Sequence, residues 1–134
     1  MKKDLPQNIV EDVAIAVVLM NDTPELASWS VYLINYKSEK LEHVLVSSKG
    51  YGEKDGKMVK TSVLRHSLRD VEPQSYAVIE AIDPAVFGLT NEYLLSFYIG
   101  GTIYDKKFIF LPESIIDVNL MHVPLINKPG VMIK

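Results

Sequence analysis

Apolar runs in this chain are short, and turn-forming or polar residues interrupt them roughly every ten positions. No stretch keeps a helical period over the length a packed helix needs, so the crossover helix of a parallel βαβ unit is missing. Antiparallel pairing of short strands is what remains. The spacing predicts an all-β fold, an antiparallel β-sandwich of about seven or eight short strands with one short helical turn. The 134 residues suit one domain, 1–134, which is long enough for an unaided hydrophobic core. Residues 113–134 are expected to be a C-terminal strand or tail.

Individual segments follow from alternation and punctuation. Asp12 to Met20 is rich in Val and Ile and too short for a helix, so it reads as a buried strand. Ser28 to Tyr36 sets Trp29, Val31 and Leu33 on one face and Ser30, Tyr32, Ile34 and Tyr36 on the other. After the polar link Lys37-Ser38-Glu39-Lys40, Leu41 to Ser48 reads as the return strand of a hairpin. The glycine-rich stretch 49–57 is expected as a mobile loop. Strands at 58–66 and 75–82 flank a turn at Val71-Glu72-Pro73. Asp83 can cap one helical turn, with Pro84 at its first position and Gly88 as a left-handed stop. Asn91 to Ile99 is a strand, Gly100-Gly101 a bulge or strong bend, and Tyr104 to Lys107 the tip of a hairpin whose second arm is Phe108 to Leu111.

The residue inventory removes most chemistry. Cysteine is absent, which excludes disulfides, thiolate metal sites and a Cys nucleophile. His43, His66 and His122 lack the spacing of common metal pairs, and no cofactor is expected. A hairpin centred near Glu53 would set His43 opposite Val63, with His66 on the other face. Glu80 sits among apolar neighbours; the expected arrangement is a strand-end carboxylate facing water, whereas a deep pocket where Glu80 meets a histidine would favour the least expected reading, an enzyme with a site assembled from distant carboxylates. No serine lies in a Gly-x-Ser-x-Gly or Ser-x-x-Lys setting. Stretch 49–57 lacks the Gly-Lys-Ser/Thr ending of a phosphate loop and the acid pattern of a calcium loop. The expectation is a chain that is not an enzyme.

Fourteen basic residues face seventeen acids, a formal charge of −3, which argues against nucleic acid as a partner. Lys49, Lys54, Lys57, Lys60, Arg65 and Arg69 form a modest basic stretch, but Glu53 and Asp55 interleave and no stacking aromatics accompany it. The apolar run 13–20 follows Glu11-Asp12, is too short to cross a bilayer, and lacks a cleavage site, so neither membrane nor secretion is expected and the location is taken as cytoplasmic.

An apolar surplus is left over. The strand at 28–36 has no plainly polar side, and neither has 91–99, where Tyr93, Leu95, Phe97 and Ile99 oppose Leu94 and Tyr98. One face can line the core, while the second must meet water, a loop or another chain. Tyr32, Ile34, Tyr36, Tyr98, Met121, Val123 and Leu125 are therefore the expected partner-binding residues, the last three folding back over this face or reaching a second subunit.

Three stretches carry a resemblance: Val31-Tyr32-Leu33-Ile34-Asn35-Tyr36; Val71-Glu72-Pro73-Gln74-Ser75 with the strand after it; and Leu95-Ser96-Phe97-Tyr98 with Lys106-Lys107-Phe108-Ile109-Phe110. Over about residues 28–115 the chain resembles the all-β domain of unknown function that accompanies Smr-type nuclease domains in some bacterial proteins. The resemblance implies a sandwich used as an accessory or interaction module and brings no functional residues with it. The expected function is non-enzymatic protein–protein interaction, with a homodimer as one form. The alternative is a ligand- or RNA-associated β-domain using loop 49–57.

Overall fold

The computed structural model describes residues 8–21, 23 and 27–134. The lysine-led N-terminus and most of the expected turn after Met20 lie outside the described residues. Among the described residues there are ten strands: β1 (Val13–Asn21), β2 (Ser28–Asn35), β3 (Leu41–Lys54), β4 (Lys57–Lys60), β5 (Leu64–Val71), β6 (Ser75–Ile82), β7 (Thr90–Ile99), β8 (Thr102–Phe110), β9 (Met121–Val123) and β10 (Lys128–Ile133). Two short 3₁₀ turns, Pro84–Val86 and Asp117–Asn119, complete the list. The strands form two antiparallel sheets. Sheet A has the order β6-β2-β1-β10-β9; sheet B has β4-β3-β7-β8, with β5 also pairing β3. The chain is an all-β sandwich.

The core follows from alternation. Val13, Ile15, Val17, Val31 and Leu33 of sheet A face Leu41, Val44, Val46, Leu95, Phe97, Phe108 and Phe110 of sheet B. Each such side chain contributes about 1.5–3 kcal/mol on leaving water. Strand β1 goes further, since every residue from Val13 to Leu19 is buried. Both of its faces are covered, which is why it reads as a continuous apolar run.

Several connections differ from the expected ones. β2 and β3 are not a hairpin: β2 pairs β1 and β6, while β3 lies in the other sheet. The link crosses between sheets and is anchored by Asn35, which is fully buried. Its amide donates to the carbonyls of Glu39 (2.8 Å) and Glu72 (3.1 Å), and its Oδ1 accepts from the Lys37 N–H (2.9 Å). Stretch 49–57 is not a separate loop either. β3 continues to Lys54 and turns back through Asp55-Gly56, both at positive φ (53° and 78°), the conformation a two-residue hairpin turn requires. The tip expected at 104–107 falls inside β8. The turn is made earlier by Gly100 and Gly101, whose φ of 56° and 82° suit the same tight hairpin. Asp83 does cap the 3₁₀ turn, accepting from the Ala85 N–H at 2.9 Å. Gly88 takes no left-handed φ, because the turn runs on through a Leu89 N–H to Val86 carbonyl bond of 3.0 Å.

Residues 121–133 enter sheet A as the β9–β10 pair. β10 lies against β1, with Ile15 opposite Ile133 and Val18 opposite Gly130. Gly130 allows this approach: a Cβ there would stand 2.7 Å from the Val17 carbonyl oxygen. The turn between β9 and β10 brings Val123 and Ile126 onto Ala16, Val18 and Ile34, with Tyr32, Tyr36 and Leu125 packed around them. Tyr36 donates its hydroxyl to the Pro124 carbonyl at 3.1 Å. No helix among the described residues is long and apolar enough to cross a membrane.

Candidate functional site

Two places on the sandwich draw on residues that chemistry or recognition would use. The first is centred on Glu80. Opposite β6, the register shifts between Val31, which faces Glu80, and Tyr32, which faces Val78. Ile79 is thereby left unpaired and buried in the core, and Glu80 turns toward sheet B. Its Oε1 accepts from the Ser48 hydroxyl at 2.8 Å and from His66 Nε2 at 2.8 Å, and its Oε2 accepts from the Tyr93 hydroxyl at 3.1 Å. The donors come from β3, β5 and β7. The Glu80 side chain is only 14% exposed, which corrects the expectation of a carboxylate facing water. The pairing of strands distant in sequence created this environment, and spacing along one strand carried no sign of it. Burial raises the pKa of Tyr93 above its usual value, and the Glu80 charge and hydrogen bond raise it further.

A groove of about 380 Å³ opens beside the cluster, lined among others by Ser48, Thr61, Ser62, Glu80, Asn91 and Tyr93. The arrangement does not have the order of a hydrolytic relay. In such a relay an imidazole stands between hydroxyl and carboxylate. Here the carboxylate is in the middle, and the Ser48 hydroxyl donates its hydrogen bond to Glu80. With three donors on one carboxylate, the cluster is a polar clasp between the edge of sheet A and the flank of sheet B. Among the described residues no group of three or more His, Asp or Glu side chains could hold a metal ion. His43 lies on the outer side of β3, left-handed at φ 50° in a bulge. The extra residue lets Leu41 and Val44, three apart, both face the core. Around His43 the strands paired to β3 are β5 and β7, and the β5 register sets Val46 against His66, so Val63 is not the partner of His43.

The second place is the pair of outer faces. That of sheet A is covered over β1 and β2 by the chain's own C-terminal hairpin, while Tyr76 and Val78 on β6 stay exposed. Of the seven expected partner residues, Ile34 and Val123 are wholly buried there, and Tyr32, Tyr36 and Leu125 are half-buried beneath or within the same cover. Met121 is exposed on β9, and Tyr98 is exposed on sheet B, so the seven do not form one surface. The outer face of sheet B carries no such cover. Leu45, Leu94, Tyr98, Ile103 and Ile109 are all exposed on it, Leu45 at 54%. Leu94 shares a face with Tyr98 by simple alternation, so the sequence held a signal for it. Leu45 was masked by the bulge beside it. The basic residues do not gather: Lys49 pairs with Glu92 at 3.7 Å, Lys54 and Lys57 face one another at the β3–β4 tip, and Arg65 and Arg69 belong to β5.

No family model matches the chain, and no curated protein matches it.

Proposed function

We propose that the chain is a non-enzymatic interaction module that works through the outer face of sheet B. One observation carries this reading. The outer face of sheet A is largely covered by the chain's own C-terminal hairpin, with Tyr76 and Val78 of β6 left open at its edge, whereas the exposed apolar side chains on the outer face of sheet B have no such cover. Contiguous exposed apolar side chains on a folded domain mark a contact surface, and tyrosine and arginine are among the residues such surfaces favour. The Glu80 cluster is consistent with this, since its hydrogen bonds hold the sheets together. The resemblance to the accessory domain beside Smr-type nuclease domains agrees with an interaction role, and with it a bacterial cytoplasm is the setting proposed.

The test is site-specific photo-crosslinking in the native cell, with a benzophenone amino acid at Leu94 on the open face and, as control, at Val78 on sheet A. A discrete adduct at position 94, absent at 78 and abolished by Leu45→Glu in a folded chain, is the expected result. An adduct of twice the chain mass would identify a homodimer. Equal labelling at both positions, or none at 94, would refute the reading.

A further inference from the structure

The open face of sheet B is charged along one side. From β5, Arg65, Ser67 and Arg69 point outward, while Leu68 packs on the core and His66 reaches Glu80. Two hollows lie side by side along this strand. One, of about 660 Å³, is lined by His43, Leu45, Ser67, Arg69, Asp70 and Tyr98. The other, of about 400 Å³, includes Leu45, Ser47, Arg65, Ser67, Leu94 and Ser96. They share Leu45 and Ser67, so together they make a single trough with an apolar floor and an arginine wall.

Neither guanidinium has an ion-pair or hydrogen-bond partner among the described residues. The nearest acid on the strand, Asp70, is already engaged, 3.7 Å from the Lys40 ammonium and accepting from the His43 N–H at 3.2 Å. Guanidinium groups present a planar fork that matches carboxylates, and desolvating them unpaired is costly, so an occupant of the trough has to bring negative charge. A bulge at Arg69 takes up one residue, so Arg65 and Arg69 stand opposite Ser47 and Val44 of β3, three strand steps or about 10 Å apart, which an extended peptide spans in about three residues. Resting on the interaction-module reading above, we propose that the trough binds an extended acidic peptide. Its carboxylates face Arg65 and Arg69, and its apolar side chains fill the hollows over Leu45, Leu94 and Tyr98.

A second copy of the chain fits the charge pattern poorly. Arg65, Ser47, Leu94 and Lys107 form one cross-strand row. Face-to-face pairing about a two-fold axis along the strands would set Arg65 over Lys107 of the other copy, and an axis across the strands would set β5 on β5, arginine on arginine. A nucleic-acid strand, charged at every unit, would also meet Asp70 and Asp105 on this face.

The experiment is an NMR titration of the folded chain with a synthetic heptapeptide alternating aspartate and leucine. The same peptide with lysine for aspartate, and a uridine oligonucleotide of equal length, serve as comparisons. The acidic peptide is expected to shift the amides of Leu45, Ser67, Leu94 and Ser96, to lose affinity as salt rises, and to bind about tenfold more weakly to the Arg65→Glu, Arg69→Glu double variant. Leu45→Asp should abolish the shifts. Equal binding of the lysine peptide, preference for the oligonucleotide, or no shift with the acidic peptide would overturn the proposal. If the photo-adduct at position 94 persists in the arginine double variant while the acidic peptide fails to bind, the acidic-peptide inference falls and the interaction surface stands.

Discussion

The imidazole Nε2 of His66 and the carboxylate Oε1 of Glu80 stand 2.8 Å apart, and this contact ties the flank of sheet B to the edge of sheet A. Strands β5 and β6 are consecutive in the chain, yet they lie in different sheets and share no ladder hydrogen bonds. Side chains hold this side of the sandwich closed. Ser48 and Tyr93 reach the same carboxylate from β3 and β7, so three strands of one sheet converge on a single residue of the other.

Removing that carboxylate leaves three donors without their acceptor. Glu80→Ala is expected to cost about 3 kcal/mol, since buried polar groups are stranded when one partner of a network is deleted. Glu80→Gln, which keeps an acceptor oxygen, should cost less. Urea unfolding followed by tryptophan fluorescence measures both, and a Glu80→Ala chain as stable as the parent would show the clasp to be dispensable.

Tyr93 gives the fold an alkaline weakness. Its pKa in the folded chain lies above the ordinary value of 10.0, chiefly through burial and then through Glu80. The folded state therefore keeps a proton that the unfolded state releases. The associated stability is complete below pH 10 and is lost as pH rises beyond it, at about 1.4 kcal/mol per pH unit for one such group. Tyr93→Phe should flatten this slope between about pH 10 and 12, while losing about 1 kcal/mol at neutral pH with the hydrogen bond. Burial also raises Tyr36, so some slope is expected to persist in the variant. Denaturant melts at stepped pH provide the measurement.

Gly130 is expected to resist even a methyl group. A Cβ there would come 2.7 Å from the Val17 carbonyl oxygen, 3.0 Å from a Val123 methyl and 3.2 Å from the Val18 Cα. Two of these neighbours are backbone of the central strand and have no room to retreat. Gly130→Ala should destabilise by about 1–3 kcal/mol, the usual range for an overpacked interior. Faster hydrogen exchange at Ile15 and Val17 would accompany the loss; unchanged exchange would mean that β10 accommodates the methyl.

Ile126 tests the cover over sheet A. It is nearly buried and packs in the cluster of Ala16, Val18, Ile34 and Val123. Ile126→Ala should cost about 2–4 kcal/mol and raise the fluorescence of a hydrophobic dye by uncovering that face. A stability within error of the parent would argue that the hairpin is held by its β1 pairing alone.

What the sequence made legible is what local pattern controls. Alternation sorts Val31 and Leu33 from Tyr32 and Ile34 on β2, and capping chemistry at Asp83-Pro84 locates the 3₁₀ turn. It fails where the chain breaks its own period. At His43 a positive φ inserts a residue and moves Leu45 outward, and no composition signal announces it. It fails again where the neighbour is remote. Glu80 looks solvent-facing until β5 is known to flank it, and Ile34 looks like a partner surface until residues 123–126 are known to cover it. Nothing in the local pattern marks Asn35, which braces two crossings between the sheets.

The place of β10 beside β1 sets a schedule for synthesis. Ile15 emerges from the ribosome more than a hundred residues ahead of its partner Ile133. For that interval β1 keeps a bare edge and an oily back, the combination that attracts chaperones and stray strands. Closure waits for the last hairpin, so a nascent chain halted before residue 121 would be a half-built sandwich whose most hydrophobic strand is still unprotected.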